Sequence, residues 1–296
     1  MSQVLENITP DIEAPQPASI PLSAFFRRVG KLAAETGSPA HATCAALQEA
    51  NIFLDPQGDD LTKYAGTGLL VVSDHRQGGE GWLGMGLMHH LGRTDMHMLG
   101  KPYAPTGRIV HSMGEPMAGL LLPVIPGTMD ASKKGREAIN EDIIFRLLSP
   151  SAVLPREKRN VINQATLQRS AAIVAEGGTV MIAPTGSLSD ASSASATWQR
   201  GLGSIVRALP EDAWNEARIA FVRPGDFLKL RFMAALALRQ FGVRLSPQTI
   251  AMHIVDAGTP ADIFGQDTSM TDTQITERLR QEYRGCFDAG FAGSPV

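Results

Sequence analysis

The sequence predicts an α/β fold: a single domain with a largely parallel mixed sheet flanked by helices. Two observations carry this expectation. Short apolar runs of strand length recur at 69–72, 119–125, 178–183, 217–222 and 249–255, and segments of helical period alternate with them. No internal repeat interrupts the 296 residues. Hydrophobic residues make up 43% and charged residues 19%, a globular balance that excludes a wholly disordered chain. Lys and Arg total 27 against 30 Asp and Glu, a net charge of −3, which argues against bulk nucleic-acid binding but leaves room for a local basic pocket. The two cysteines, Cys44 and Cys286, cannot build a disulfide scaffold or a cysteine-rich zinc site, so a reducing cytoplasm is the default location.

In chain order, residues 1–20 are acidic and carry three prolines, and read as a disordered tail rather than an export signal. Residues 21–60 form an N-terminal helical segment packed on the core. Its first helix, 21–37, has Leu22, Phe25, Phe26, Val29, Leu32 and Ala33 at helical spacing and Gly37 at its end. A second helix covers 40–53, and PQGDD (56–60) reads as a turn-rich break. The α/β domain proper spans 61–290. Its first unit is a strand at 69–72, the polar loop SDHRQGG, and a helix from Trp82 to Leu91; sites in α/β folds gather where strands end. A strand at 119–125 follows, then helices at 136–148 and 157–176 separated by the proline-containing loop SPSAVLPRE. A strand at 178–183 leads into a Ser-rich loop, 184–197, and a helix at 198–209. The strand 217–222, a helix at 226–241, the strand 249–255 and a charged helix at 272–284 complete the series. The most apolar stretch, 227–238, is interrupted by Lys229 and Arg231 and falls short of the roughly 20 residues of a spanning helix. Peripheral membrane contact stays open, and the basic amphipathic helix 21–37 is the segment suited to it.

The chemistry concentrates in HRQGGE. A histidine leaving a strand, with a carboxylate five positions later, has a physical use. The carboxylate accepts from one ring nitrogen and fixes the tautomer, and the other nitrogen then takes a proton from a hydroxyl or amine. Gly78 and Gly79 let the chain bend so that His75 and Glu80 meet. Other groups are weaker. His89, His90, Asp95 and His97 show no metal-ligand spacing and read as structural or surface residues. Ser187, Ser189, Ser192, Ser193 and Ser195 lack a nucleophile-elbow pattern, and the loop reads as a flexible lid or acceptor-binding loop. Met85, Met88, Met96 and Met98 read as core filler that would also suit a flexible acyl channel.

Several blocks, taken together, resemble the glycerolipid acyltransferase superfamily, which includes the glycerol-3-phosphate and 1-acylglycerol-3-phosphate acyltransferases. VVSDHRQGGE (71–80) is similar to the first block, a strand followed by Asn-His, four residues and Asp. GGTVMIAPTGSLSD (177–190) with TWQRGLGSI (197–205) is similar to the third, Trp198 and Gly201 standing in the corresponding places, and ARIAFVRP (217–224) to the fourth. The departures are specific. Glu80 stands for aspartate, Asp74 for asparagine, Thr185 for glutamate and Leu188 for arginine. The stretch LLLPVIPGT (120–128), nearest to the second block, lacks the arginine that clamps the acceptor's phosphate.

The resemblance implies a glycerol-3-phosphate acyltransferase-like fold and transfer of a fatty acyl group from acyl-CoA or acyl carrier protein to a hydroxyl or amine. The thioester donor is a co-substrate, with no permanently bound cofactor and no metal. His75 would be general base, oriented by Glu80. Backbone amides of Gly78 and Gly79, or of Thr185, Gly186 and Ser187, would stabilise the oxyanion or bind the acceptor. Lys101, Lys133, Lys134 and Arg136 are candidates for the donor's phosphates. With the clamp absent, the expected acceptor is not a standard glycerol phosphate. The competing expectations are a non-catalytic acyl- or lipid-binding homologue and a thioester or ester hydrolase.

Overall fold

The structure, a computed structural model, describes residues 23–76, 79–100, 113–124, 154–186, 190–227, 229–238, 241–267 and 269–288. Two helices packed on each other open it. Helix α1 (Ser23–Thr36) buries Phe25, Phe26, Val29 and Ala33, and α2 (Pro39–Glu49) starts on Ser38, whose side chain accepts from the His41 amide. Strand β1 (Ile52–Gly58) follows, then β2 (Leu69–Ser73), α3 (Glu80–His90), β3 (His97–Gly100), the single turn α4 (Glu115–Ala118) and β4 (Leu121–Pro123). The second half comprises α5 (Arg156–Ala175), β5 (Thr179–Ile182), α6 (Gly201–Arg207), α7 (Glu211–Glu216) and β6 (Arg218–Pro224). It closes with α8 (Lys229–Leu238), β7 (Gln248–Gly258), α9 (Pro260–Phe264) and α10 (Asp272–Asp288).

The seven strands form one sheet in the order β1-β7-β6-β2-β5-β3-β4. Strands β6, β2, β5, β3 and β4 run parallel; β7 is antiparallel to β6, and β1 is parallel to β7. The sheet is therefore mostly parallel and flanked by helices on both faces. The pleat sorts its side chains. Leu69 and Val71 of β2, with Ala220, Val222, Ile250, Met252 and Ile254, pack against α1, α2, α3 and α8. Leu70 and Val72, with Val180, Ile182, Ile219 and Phe221, pack against α5, α6, α7 and α10. All five residues of β2 are buried, as a central parallel strand requires. Met85, Met88, Met96 and Met98 belong to the first of these cores.

Two expectations need correction. The segment 40–53 is not one helix followed by a turn: α2 stops at Glu49, Asn51 takes a positive φ of 60°, and 52–58 is a full sheet strand paired with β7 from Ile52↔Gln248 to Gly58↔Ile254. Pro56 is tolerated because β1 is the edge strand, where a missing N–H leaves no ladder partner unpaired on its outer side. The N-terminal segment is thus helical only as far as residue 49. Helix 198–209 is also shorter than its pattern, beginning at Gly201. The helix expected at 136–148 and the tail 1–20 lie outside the described residues. Among the described residues, no helix is long and apolar enough to cross a membrane.

Close packing uses glycine where helices cross. A Cβ on Gly203 of α6 would sit 1.9 Å from the Asp272 carbonyl oxygen at the start of α10, whereas one on Gly285 of α10 would meet nothing within 4 Å. Gly203→Ala should lower stability by about 1–3 kcal/mol through overpacking. Gly285→Ala should raise it by about 0.5–1 kcal/mol by removing chain entropy from the unfolded state. Urea unfolding of the two variants checks both signs; equal effects would contradict this packing.

Candidate functional site

His75 and Glu80 meet. Strand β2 ends at Ser73, and α3 begins at Glu80. The His75 Nδ1 lies 3.4 Å from Glu80 Oε2. The Glu80 side chain is 2% exposed and that of His75 36%, so the carboxylate is enclosed while the imidazole reaches solvent. Glu80 also sits in the first turn of an 11-residue helix, where the partial positive charge of the N-terminus favours a carboxylate. With Nδ1 on the Glu80 side, a tautomer protonated there would leave Nε2 as the unprotonated nitrogen. Gly79 caps this helix, and a Cβ there would lie 3.1 Å from the Phe232 ring of α8, so the turn presses closely on its neighbour.

The dyad stands at a topological switch point. The connection leaving β2 runs into α3 on one face of the sheet, and the connection leaving the adjacent parallel strand β5 runs into α6 on the opposite face. The carboxyl ends of two adjacent strands whose connections take opposite faces are the usual ligand position in such sheets. His75 leaves from β2, and Thr185 and Gly186 from β5. The Gly186 amide donates to the Ala183 carbonyl at 3.1 Å and its φ is 64°, a left-handed turn conformation suited to glycine. That amide is committed to its turn. Thr185 is buried at the same turn.

Behind His75 lies an ionic network that the sequence did not reveal. Asp74 is completely buried. Its Oδ1 accepts from the Ala191 amide at 2.7 Å, and its Oδ2 lies 3.3 Å from Arg76 Nε and 3.2 Å from Arg223 Nε. Arg223, on β6, also donates to the Ser192 hydroxyl and to Asp190, each at 3.2 Å. Arg76 donates to the Pro224 carbonyl at 2.8 Å and to Asp226 at 3.2 Å. Burial pushes the Asp74 carboxyl above its ordinary range, against the pull of the Ala191 amide and both arginines. Asp190 goes the other way: burial raises it, but the Ser192 hydroxyl and amide and Arg223 outweigh burial and hold it below its ordinary value. Tyr283, fully buried on α10, has its phenol pushed well above 10 by burial first and then by Asp74.

This network also reaches the second half of the Ser-rich loop. Residues 190–197 are tied down by the Asp74 and Arg223 bonds, by Trp198 Nε1 donating to the Ala191 carbonyl at 3.0 Å, and by Arg280 donating to the Ala194 carbonyl at 2.9 Å. Beside that loop is a hollow of about 490 Å³ lined by Thr185, Asp190, Ser193, Ser195, Ala196, Thr197 and Gln199. The sequence could have signalled the network through one detail, an arginine at 223 in the same block pattern that aligned the fourth strand.

The remaining candidates fall elsewhere or outside. Gly78, Ser187, Leu188, Ser189, Lys101, Lys133, Lys134 and Arg136 lie outside the described residues. His89 packs its ring on His41 at 4.8 Å, His90 Nε2 is 3.6 Å from Cys44 Sγ, and His97 lies in β3. Among the described residues no group of His, Cys, Asp or Glu is arranged to hold a metal ion. No protein-family model and no curated protein matches the chain.

The electrostatics can be tested at both ends of this network. Arg223→Met strands the buried Asp74 charge and should cost about 3–5 kcal/mol; Asp74→Asn in the same background should recover part of that loss in thermal melts. Burial depresses His89, His97 and His253 below 6.5, with neighbouring His41 and His90 adding to it at His89 and Arg223 at His253. The unfolded chain therefore takes up protons near pH 6.5 that the folded chain does not, and stability falls as pH drops through that value. The melting temperature at pH 5.5 should lie below that at pH 7.5; a rise would contradict these environments.

Proposed function

We propose that the protein is an acyltransferase, a divergent member of the glycerolipid acyltransferase superfamily in fold and mechanism. It moves a fatty acyl group from an acyl-CoA or acyl carrier protein thioester to a hydroxyl or amine. The observation that carries this reading is the His75–Glu80 contact at the carboxyl end of β2, beside that of β5. A braced imidazole with one nitrogen unprotonated is suited to removing a proton from an incoming hydroxyl. The seven-stranded, mostly parallel sheet supports the block order read along 68–224.

The step balances without an enzyme nucleophile. His75 takes the acceptor's proton as its oxygen or nitrogen attacks the thioester carbonyl. The new bond to carbon forms, the C–S bond breaks, and His75 returns the proton to the departing thiolate. Glu80 holds the imidazole and stabilises its charged form through the Nδ1–H. Backbone amides at the start of α3 supply positive potential for the oxyanion. Neither Cys44, buried on α2, nor Cys286 on α10 is needed.

Thiol release from acyl-CoA and acyl carrier protein donors, measured with and without a broad acceptor pool, tests the proposal. His75→Ala should lower turnover about 10²–10⁴-fold while leaving circular dichroism and melting unchanged. Glu80→Gln should give a smaller loss in kcat. Full turnover in the His75 variant would overturn the assignment. Donor breakdown at full rate without any acceptor would instead identify a hydrolase.

A further inference from the structure

We propose that the carboxyl end of the sheet, the end from which His75 emerges, docks on an anionic lipid surface. Docking of this kind is independent of the chemistry at His75.

Four large apolar side chains are exposed among the described residues: Phe53, Val161, Phe241 and Val243. All four fall toward this end. Strand β7 runs antiparallel to β6, with Met252 opposite Pro224, the last residue of β6. Residues 248–251 of β7 therefore project past the carboxyl ends of β6 and β2. Phe53 of β1 pairs with Thr249, about 10 Å beyond Pro224 at ~3.3 Å per residue. Phe241 and Val243 belong to the loop that enters β7, and its base is held by Asn51 Nδ2, which donates to the Leu245 carbonyl at 2.8 Å. Val161 sits near the start of α5, which runs down to the amino end of β5. Thr166, further along that helix, donates to the carbonyl of Pro123, the last residue of β4, at 2.7 Å, so Val161 lies beyond the carboxyl end of β4.

The turn at 241–243 protrudes. Gly242 takes a φ of 74°, and a Cβ there would meet nothing within 4 Å. On either side of it Phe241 is 69% exposed and Val243 46%. Apolar side chains on a projecting turn gain by entering the boundary between lipid headgroups and acyl chains.

Charge selects the occupant. The chain carries −3 overall, yet residues 227–255 hold Lys229, Arg231, Arg239 and Arg244 and no Asp or Glu. Arg244 is exposed beside Val243. At the start of α5, Arg156 and Lys158 are exposed in the turn before Val161, with Arg159 and a single acid, Glu157. Asp226 and Asp190, at the same end, face Arg76 and Arg223, and Asp55 stands farther down β1. Apolar side chains flanked by basic ones match an anionic bilayer, whose headgroups attract the cations while the interface takes the apolar groups. From β1 to β5 is four strand spacings, roughly 19 Å, with β2 between them. The apolar positions thus flank the dyad on both sides, as a flat and extended partner requires.

Co-sedimentation with vesicles tests the proposal, using phosphatidylcholine alone and phosphatidylcholine mixed with an equal part of phosphatidylglycerol. The full chain should pellet with the mixed vesicles, bind the neutral ones at least about tenfold more weakly, and release as salt rises. Phe241→Ser combined with Val243→Ser should weaken binding about 10–100-fold. Arg244→Gln should weaken it about fivefold, on the anionic vesicles alone. These side chains are exposed, and unchanged melting of the variants checks that the fold is kept. His75→Ala should leave vesicle binding as it is, which separates docking from turnover. No binding to the mixed vesicles overturns the proposal. Binding that the 241, 243 and 244 variants leave unchanged also overturns it, and its loss in Arg27→Gln with Lys31→Gln would move the contact to α1. A dimer in analytical ultracentrifugation that Phe241→Ser dissolves, without any vesicle binding, would assign the face to a second copy of the chain instead.

Discussion

The enclosed Asp74 carboxylate is the group on which the arrangement of the site depends. A buried charge costs several kcal/mol unless it is met by opposite charge and hydrogen bonds. Here two guanidinium groups and one backbone amide meet it, and each comes from a different part of the chain: Arg76 from the loop after β2, Arg223 from β6, and Ala191 from the Ser-rich loop. Because Asp74 lies between the last residue of β2 and His75, fixing it fixes the direction in which the chain enters the imidazole. The same carboxylate draws in the loop that walls the neighbouring cavity. Charge neutralisation thus ties the loop at 190–192 to the ends of β2 and β6.

The sheet supplies the frame within which that carboxylate works. Strand β2 is buried on both faces, with Leu69 and Val71 toward one core and Leu70 and Val72 toward the other. Its register against β5 and β6 is therefore well determined, since a slip of one residue would exchange the two faces. The turn leaving β2 inherits that precision. The helix after β2 and the helix after β5 take opposite faces, and the gap between them is where His75, Glu80 and Thr185 stand. Glu80 is enclosed and His75 is open, so the pair has a fixed brace and an accessible base.

Much of the sheet was legible because its strands are apolar and bounded by breakers. The runs at 69–72, 178–183, 217–222 and 249–255 each became a strand, extended at the end of β6 and at both ends of β7. Strand β1 was not legible. It contains Asp55, Pro56 and Gln57 on an edge, and it pairs with a strand far away in the sequence, so neither composition nor period marked it. Strand β3 was missed for a similar reason, being four residues with a half-buried histidine and a glycine. The His75–Glu80 contact was legible because it is local: the two residues are five positions apart. The Asp74 network was not, because its partners at 190, 191 and 223 are brought near only by the order of strands β6, β2 and β5.

The sequence by itself determined the alternation of apolar strands and helices, the absence of a net basic charge, and a short loop in which the His75 imidazole and the Glu80 carboxylate can touch. Those properties are local or compositional, and hydrophobic period and residue spacing encode them directly. Only the tertiary structure decided that residues 190–198 are bonded to Asp74, Arg223 and Arg280, that an edge strand completes the sheet, and that a buried carboxylate joins the ends of β2 and β6. Each of these depends on contacts between residues distant in the chain, and such contacts exist only once strand order and packing have brought the segments together.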